Sequence, residues 1–578
     1  DEGRKVVLDY SNNVIVTGFT SSTNFPVQEG SYDRTIDGGY DAYVAKFNPD
    51  LSNLLFCTFY GGTLDDFSKS CAVDLNGNIV FCGFSKSNNL PNSNKGVEFD
   101  ISFNTSGDKD GFIAKLSSDG AAIMYGNYLG GDKDDEIADV VLVPFTNEAI
   151  VVGTTASQDF PITVGNTPRV LREVNGQARL DGFVVKINES GSGKIFSTFL
   201  GVDSANDKCY GVALDRDNHP IVVGSSQTTT FPTENLAATP SNHFFKTTTT
   251  AIRQTNSDRF YTDGFFVKLG VNGESLDYST LIGGSKGDEV FSVDVDRQGI
   301  AVICGYTESS TDFNPTVFDK TFEGGREGFV MRLGTTGGLY YSSYLGGNGP
   351  VEYAYAVKYY DNTGSVVVAG VTQSPDFPTG KINDFGYHSS SERFIIQLSG
   401  NGNLCQYSAF VGGGTYDEIK SIYVSNVYNV YATGFTQSSD LKTTPKTKYP
   451  SFNGNSDGFV YVINTCSVEI GEAKDTLVCP GKPLTLINKS TGLGTVTYNW
   501  VDLAKGTTIS TADSVIVTPT EQSIYSFTVT DDNCTKTVTY VVKTKPLPTV
   551  STNAERKACV GTSLKLSATS NDGTIVVW

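Results

Sequence analysis

Carboxylates recur at fixed places in this sequence. Asp1, Asp66, Asp135, Asp207, Asp288 and Asp417 each precede an apolar run, and one copy has Val351 followed by Glu352 instead. Asp41, Asp110, Asp181, Asp263 and Asp457 open a second set of runs. Spaced around a closed structure, such acids would form a ring able to hold Ca²⁺ or another cation. They equally suit turn chemistry, in which Asp accepts backbone N–H bonds or binds the next repeat. A structural repeat repeats its turns, so the turn reading is favoured. The densest local cluster, Asp132, Asp134, Asp135 and Glu136, is the candidate Ca²⁺ site. It lacks an EF-hand pattern, and a solvated charged loop is the plainer account. Three scattered histidines (His219, His243, His388) do not make a zinc or triad site, and no CxxC spacing suggests a zinc ribbon.

The elements that carry these acids repeat. A phrase at Gly18-Phe19-Thr20 returns at Gly83, Gly153, Gly224, Gly305, Gly370 and Gly434, with spacings of 65, 70, 71, 81, 65 and 64 residues. Each copy holds four strand-like runs, clearest in copy 2: "CAVD" (71–74), a turn "LNGN", "IVFCGFS" (79–85), then "DGFIAKL" (110–116) and "AIMYGNYLGG" (122–131). No useful helical periodicity precedes residue 465. Four strands taken seven times predicts an all-β chain with a seven-bladed β-propeller over 1–465. Its blades are placed at about 1–70, 71–139, 140–211, 212–292, 293–356, 357–421 and 422–465.

The last copy stops after its third strand, near Ile463, and Asp1 reads as the tail of a loop. The expectation is a fragment whose ring is closed by a strand upstream of residue 1, with a strand from the segment after Thr465 as the alternative. Beyond it, Cys479 to Trp500 and Cys559 to Trp578 are separated by 21 and 19 residues. A Trp packed near a cysteine bridge marks an immunoglobulin-like sandwich, so 466–545 is read as one Ig-like domain and 546–578 as half of a second. Cys479 is paired with Cys534. Cys71 and Cys82 face each other across a predicted hairpin, as a cross-strand disulfide or as two buried thiols. This pattern points to an oxidising, extracellular setting.

The chain carries 43 Lys+Arg against 63 Asp+Glu, a net charge of −20, which argues against nucleic acid and anionic membrane surfaces as partners. No run of about 18 apolar residues offers a helical span, so no direct membrane insertion is expected. The Asp-box, quinoprotein and kelch propeller signatures all use Trp, and no Trp precedes Trp500. The chain is therefore read as a non-enzyme with no catalytic residue and no cofactor. Binding is expected on the long excursions between strands two and three, above all at His243, Phe244, Phe245 and Arg253, and also across 164–180.

The string "VDLNGNIVFCGFSKSNNLP…DGFIAKLSSDG…YGNYLGG" resembles the SBBP repeat of bacterial β-propellers over roughly 1–465. The string "CPG…YNW…YSFTVTDDNC" is similar to PKD/Ig-like modules of large Bacteroidetes-type surface proteins. The resemblance implies an extracellular or outer-membrane-associated protein of a Gram-negative bacterium. Such proteins are often type IX secretion cargo, and some are gliding adhesins. It implies adhesion or surface structure as the role, with a carbohydrate-binding or carbohydrate-processing module, or an accessory of a secretion machine, as alternatives. Partners would be a surface glycan or protein and the secretion and attachment machinery. On that origin, Ser204, Thr476 and Ser514 fit an Asp-Ser/Thr-apolar O-glycosylation pattern.

Overall fold

A computed structural model describes the chain except residues 92–107, 164–178, 202–205, 228–260, 311–314, 361–363, 379–390, 426–428, 444–451, 453, 467, 469, 475, 493–494, 532–533, 546–549, 553–567 and 571–578. It divides into two compact units, Asp1–Thr465 and Cys466–Trp578. Every assigned element is a β-strand.

The first unit contains seven antiparallel sheets, here numbered 1 to 7 in chain order, each a meander of consecutive strands. Among the described residues, sheets 1 to 6 have four strands and sheet 7 has three. Their first strands are Glu2–Leu8, Asp66–Val73, Asp135–Leu142, Asp207–Leu214, Asp288–Val295, Glu352–Tyr360 and Asp417–Val424. Each first strand packs against the next, and that of sheet 7 packs against that of sheet 1. The seven sheets therefore close on themselves.

Apolar clusters fill the junctions. Ile79 and Phe81 of sheet 2 face Val44 of sheet 1, while Val80 and Cys82 of the same strand face Val151 and Phe183 of sheet 3. Both faces of the middle strands are thus buried, which is why their sequences run continuously apolar instead of alternating. The last junction joins Val6, Val14 and Tyr43 of sheet 1 to Tyr431 of sheet 7.

The repeated Lys of the third strand has a structural task. Lys115 meets Asp74 in the turn of the first hairpin at 2.9 Å, and Lys46–Asp9 (2.9 Å) and Lys268–Asp215 (2.7 Å) repeat the contact. Part of the acidic excess is spent in these turns.

Three sequence expectations change. The first strands begin at the acid, not four residues before the turn, so the predicted cuts at 70, 139, 211, 292, 356 and 421 fall inside them. Glu352, not Val351, takes the acid position: its N–H donates to Arg326 O at 2.9 Å, as Asp66 N–H does to Tyr40 O at 2.6 Å. Of the two readings of Cys71 and Cys82, the buried free thiols hold, and the expected face-to-face register does not. The hairpin turn is one residue longer than predicted, with Val73 opposite Ile79, so Cys71 lies opposite Phe81 and Cys82 opposite Ser70. One residue of slip sends side chains to opposite faces, and the two thiols enter different clusters.

In the second unit a five-stranded sheet runs Thr476–Val478, Thr535–Thr544, Ser523–Thr530, Thr497–Asp502, Thr507–Ser510, beside a pair Leu484–Ile487/Ser514–Val517. Trp500 is fully buried against Phe527 (4.4 Å between centroids) and donates to Ala512 O at 3.1 Å. The disulfide joins Cys466 to Cys534, not Cys479 to Cys534. Cys479 is exposed just past Val478, which pairs with Thr544, whereas Cys534 precedes Thr535 at the other end of that strand. At about 3.3 Å per residue the two are roughly 30 Å apart. The bridge closes a separation of 68 residues. Reduction, or Cys466→Ser, should destabilise this unit by about 3–4 kcal/mol. Cys479→Ser should not. Urea unfolding with and without reductant, followed by Trp fluorescence, checks both.

Candidate functional site

The same irregularity occurs in all seven first strands. In sheet 1 Gly3 pairs with Gly18 and Lys5 with Thr17, so Arg4 is skipped; in sheet 2 Ser68 pairs with Gly83 and Ser70 with Cys82, so Lys69 is skipped. The other skipped residues are Ala138, Tyr210, Phe291, Tyr355 and Lys420. Such a bulge bends the strand and re-aims one side chain. It also brings backbone against the partner strand. A Cβ on Gly18 would stand 1.9 Å from Glu2 O, and one on Gly83 1.9 Å from Phe67 O. The glycine of the repeated Gly-Phe-Thr phrase is required by the bulge.

All seven re-aimed residues line one central cavity of about 730 Å³, walled by the seven first strands. Their identities fall into two arcs. Lys420, Arg4 and Lys69 sit on sheets 7, 1 and 2; Tyr210, Phe291 and Tyr355 sit on sheets 4, 5 and 6, with Ala138 between the arcs on sheet 3. Each cation has a carboxylate partner: Glu418 at 2.6 Å, Glu2 at 2.8 Å and Glu136 at 2.9 Å, respectively. Burial alone would raise the Glu136 carboxyl, but Lys69 and Lys109 hold it down at about 2. In the aromatic arc Phe291 lies 5.7 Å from Tyr210 and 5.6 Å from Tyr355, and Tyr353 stacks on Tyr355 at 5.5 Å.

Deeper in the cavity two ion pairs tie sheets together. Asp139 accepts from Lys5 Nζ (2.9 Å), Ser70 Oγ (2.6 Å) and the Val212 N–H (3.1 Å), joining sheets 1, 2, 3 and 4. Burial alone would raise its carboxyl; Lys5 and these donors hold it below its ordinary value. Asp294 accepts from Lys358 (2.9 Å) and from the Tyr359 N–H (2.8 Å), joining sheets 5 and 6.

The repeated acids meet in pairs at the sheet junctions. Asp66 accepts from the Gly62 N–H (2.7 Å) and Ser87 Oγ (2.8 Å); Asp135, Asp288 and Asp417 make the equivalent bonds to Gly131, Gly284 and Gly413. The favoured turn reading matches these bonds. The sequence did not show that the second set of acids faces the first. A Cβ on Gly61 would lie 2.7 Å from Asp41 Cγ and 2.9 Å from Asp66 Oδ2, so two carboxyls occupy the space over that glycine. Asp41 and Asp66 are buried, as are Glu327 and Glu352 at the equivalent positions. Burial, with the neighbouring acid adding to it, raises Asp41 to about 7 and Glu352 to about 7. Burial raises Asp66 to about 6 and Glu327 to about 7.

The predicted site residues are dispersed. Asp132, Asp134, Asp135 and Glu136 do not form a cation cluster: Asp134 accepts from the Lys109 N–H, Asp135 turns inward to Ser157, and Glu136 pairs with two lysines. Adjacent strand residues point to opposite faces, which separates them. Among the described residues no group of three or more His, Cys, Asp and Glu is placed to hold a metal. His243, Phe244, Phe245, Arg253 and Ser204 lie outside the described residues, as do 164–178. Thr476 and Ser514 are half-buried strand residues. His219 lies 2.5 Å from Asp277. The Arg4/Lys69/Tyr355 ring was not anticipated. Its signal is a position in the first strands where the repeat does not repeat.

Neither a protein-family model nor a curated protein matches the chain. Among solved structures it is similar to Pyrococcus horikoshii acylaminoacyl peptidase, at 8% identity and a TM-score of 0.36, over 83% of this chain and 60% of that one. An acylaminoacyl peptidase in complex with Z-Gly-Gly-Phe-chloromethyl ketone follows at 9% and 0.35, over 82% and 60%. The chain thus spans about 60% of the length of these peptidases. The N-terminal four Ig domains of Dscam1 isoform 4.44 match at 10% and 0.15, over 58% of this chain and 97% of that one. Likenesses this slight assign neither a fold nor an activity to the chain.

Proposed function

We propose that this chain is a non-enzymatic, secreted or cell-surface binding protein. Its seven-sheet ring is a seven-bladed β-propeller head of SBBP-repeat type, and its second unit is an Ig-like, PKD-like stalk. The role is adhesion or surface structure, with an acidic glycan held at the central mouth. The observation that carries this reading is the ring of bulged residues, in which a cationic arc faces an aromatic arc. Aromatic faces take the apolar face of a sugar ring, while Lys and Arg take a carboxylate or sulfate.

Several features support binding without chemistry. Burial pushes the Cys71 thiol up to about 12 and Cys405 up to about 11, so neither is a thiolate near neutral pH. The acid pairs are buried at the sheet junctions, and Glu2, Glu136 and Glu418 beside the cavity are each tied to a cation. The Cys466–Cys534 bridge suits an oxidising compartment. The Bacteroidetes-type origin and type IX export rest on the repeat resemblance.

The test is an array of neutral and acidic glycans probed with the purified chain, with product analysis of every bound sugar. Retention of uronate-containing or sulfated glycans, unchanged by EDTA and with no turnover, is expected. Turnover of any glycan would sink the non-enzymatic reading.

A further inference from the structure

Several buried carboxylates of this chain have a cation beside them. Asp74, Asp215, Glu418 and Asp502 meet a lysine at 2.9, 2.7, 2.6 and 2.8 Å, respectively. The junction acids are held differently. Asp41 is 1% exposed and Asp66, Glu327 and Glu352 are 0% exposed, so all four are as deeply buried as the paired acids. Among the described residues none of the four has a Lys, Arg or His in ion-pair contact, and each pair sets two acids side by side.

Three of these acids also keep an oxygen that makes no hydrogen bond. Asp41 accepts the Asp37 N–H on Oδ2 at 3.1 Å and leaves Oδ1. Glu327 accepts the Gly324 N–H on Oε1 at 2.8 Å and leaves Oε2. Glu352 accepts Thr372 Oγ1 and Ser374 Oγ on Oε1 and leaves Oε2. These oxygens converge with their neighbours. Asp41 Oδ1 and Asp66 Oδ2 both lie within 2.9 Å of the point where a Cβ on Gly61 would stand.

Main-chain carbonyls approach the same places. A Cβ on Gly38, whose N–H also donates to Asp41, would stand 1.8 Å from Leu64 O and 3.1 Å from Gly62 O. At the junction of sheets 5 and 6, a Cβ on Gly324 would stand 2.5 Å from Gly349 O, 3.4 Å from Glu352 Oε2 and 3.5 Å from Gly347 O. One on Gly346 would stand 3.1 Å from Glu327 Oε2. Each junction thus gathers two carboxylates and two carbonyls around glycines. Two buried like charges this close are relieved by a proton or by a cation. Carboxylate and carbonyl oxygens together suit Ca²⁺, which takes about six to eight oxygens in flexible geometry, whereas Mg²⁺ demands a near-ideal octahedron and keeps its waters.

We infer that the acid pairs Asp41/Asp66 and Glu327/Glu352 are calcium sites, each ion clamping the third strand of one sheet to the first strand of the next. The ions would serve the closure of the ring, whatever the mouth binds. Burial and the neighbouring acid raise Asp41 and Glu352 to about 7, so protons compete with the ion and affinity should fall as pH falls. A shared proton alone is the rival.

The test compares the full chain with Asp41→Asn, Glu327→Gln and the double variant, each stripped of metal with EDTA and then freed of EDTA. Bound calcium is measured by equilibrium dialysis and atomic emission, in about 5 mM CaCl2, above the roughly 0.1–1 mM Kd of extracellular calcium modules. At about pH 8 each single variant should hold about one ion fewer than the native chain, and the double variant about two fewer. CaCl2 should raise the native thermal midpoint by at least about 3 °C at that pH, MgCl2 by less, and neither at about pH 5. Without calcium the double variant, relieved of two buried charges, should melt no lower than the native chain, so its loss of calcium is not a loss of fold. Asp65→Ala, next to Asp66 but outside the pair, should keep the native amount. Equal calcium in the native chain and the double variant would overturn the inference, since the ions would then sit elsewhere on an acidic protein. So would a native midpoint that ignores calcium at about pH 8, because the pairs would then hold only a proton.

Discussion

Asp139→Ala should destabilise the first unit by about 3–5 kcal/mol, the usual cost of leaving one member of a buried ion pair alone. The substitution strands the Lys5 ammonium and removes the acceptor of Ser70 Oγ and the Val212 N–H at once. These bonds come from three different sheets besides its own, so the loss falls on the closure of the ring and not on one hairpin. The half-buried pair Lys86–Asp65, at 3.2 Å, provides the contrast. Asp65→Ala should cost less than about 1 kcal/mol. The double variant Lys5→Met/Asp139→Leu should recover most of the loss, because replacing both charges by apolar groups removes the stranded ion. Urea unfolding of the four proteins checks the set. Equal costs at Asp139 and Asp65 would show that the cavity wall does not depend on this contact.

The second large effect is on pH. Asp41, Asp66, Glu327 and Glu352 have raised folded pKa values near 6 to 7, against about 4 in an unfolded chain. A raised acid is better tolerated in the fold when protonated, so its favourable contribution is present at low pH and is lost as pH climbs from about 4 through 7. Asp139, Glu136 and Asp74, held below their ordinary values, act in the opposite sense, and only below about pH 4. The net result between these windows is a ring more stable at pH 5 than at pH 8. The thermal midpoint should be higher at pH 5 by at least about 5 °C, the effect of a single acid raised to about 7, which loses about two pKa units of stabilisation above pH 5 at about 1.4 kcal/mol per unit and about 2 °C per kcal/mol in a domain of this size. A net charge of −20 also favours lower pH through general repulsion. Asp41→Asn with Glu327→Gln separates the two causes. If the junction acids are responsible, this variant flattens the profile between pH 5 and 8. If general repulsion is, the slope survives.

The repeat, its strand content and the turn role of the first acids could be read from the residues. What could not be read depends on register. The Gly-Phe-Thr phrase is conspicuous as text, yet nothing in it says that Gly18 faces a bulge; that follows only when Gly3 and Lys5 are paired to Gly18 and Thr17. The first glycine of the Gly-Gly pair reads as a turn, but Gly61 is small because Asp41 and Asp66 fill the space over it. A count of residues in the predicted hairpin put Cys71 opposite Cys82, but the turn is one residue longer, Val73 pairs with Ile79, and the two thiols fall on opposite faces. Cys479 was chosen for its distance from Trp500, a one-dimensional measure that cannot see which end of a sheet a residue reaches. The mouth was missed for a related reason: a search for repeated residues passes over the one position whose identity changes from Arg to Lys to Tyr.

The central claim is that the two arcs form one binding site, and the most direct measurement is calorimetric titration of an array-selected acidic oligosaccharide into the full chain and two variants. Lys69→Ala removes a cation, and Tyr355→Ala removes an aromatic surface on the opposite arc. The account predicts that each weakens binding by tenfold or more, while thermal midpoints move by only a few degrees and added salt weakens the native chain's binding but not that of a neutral sugar. Unchanged affinity in both variants, with the fold intact, would contradict it.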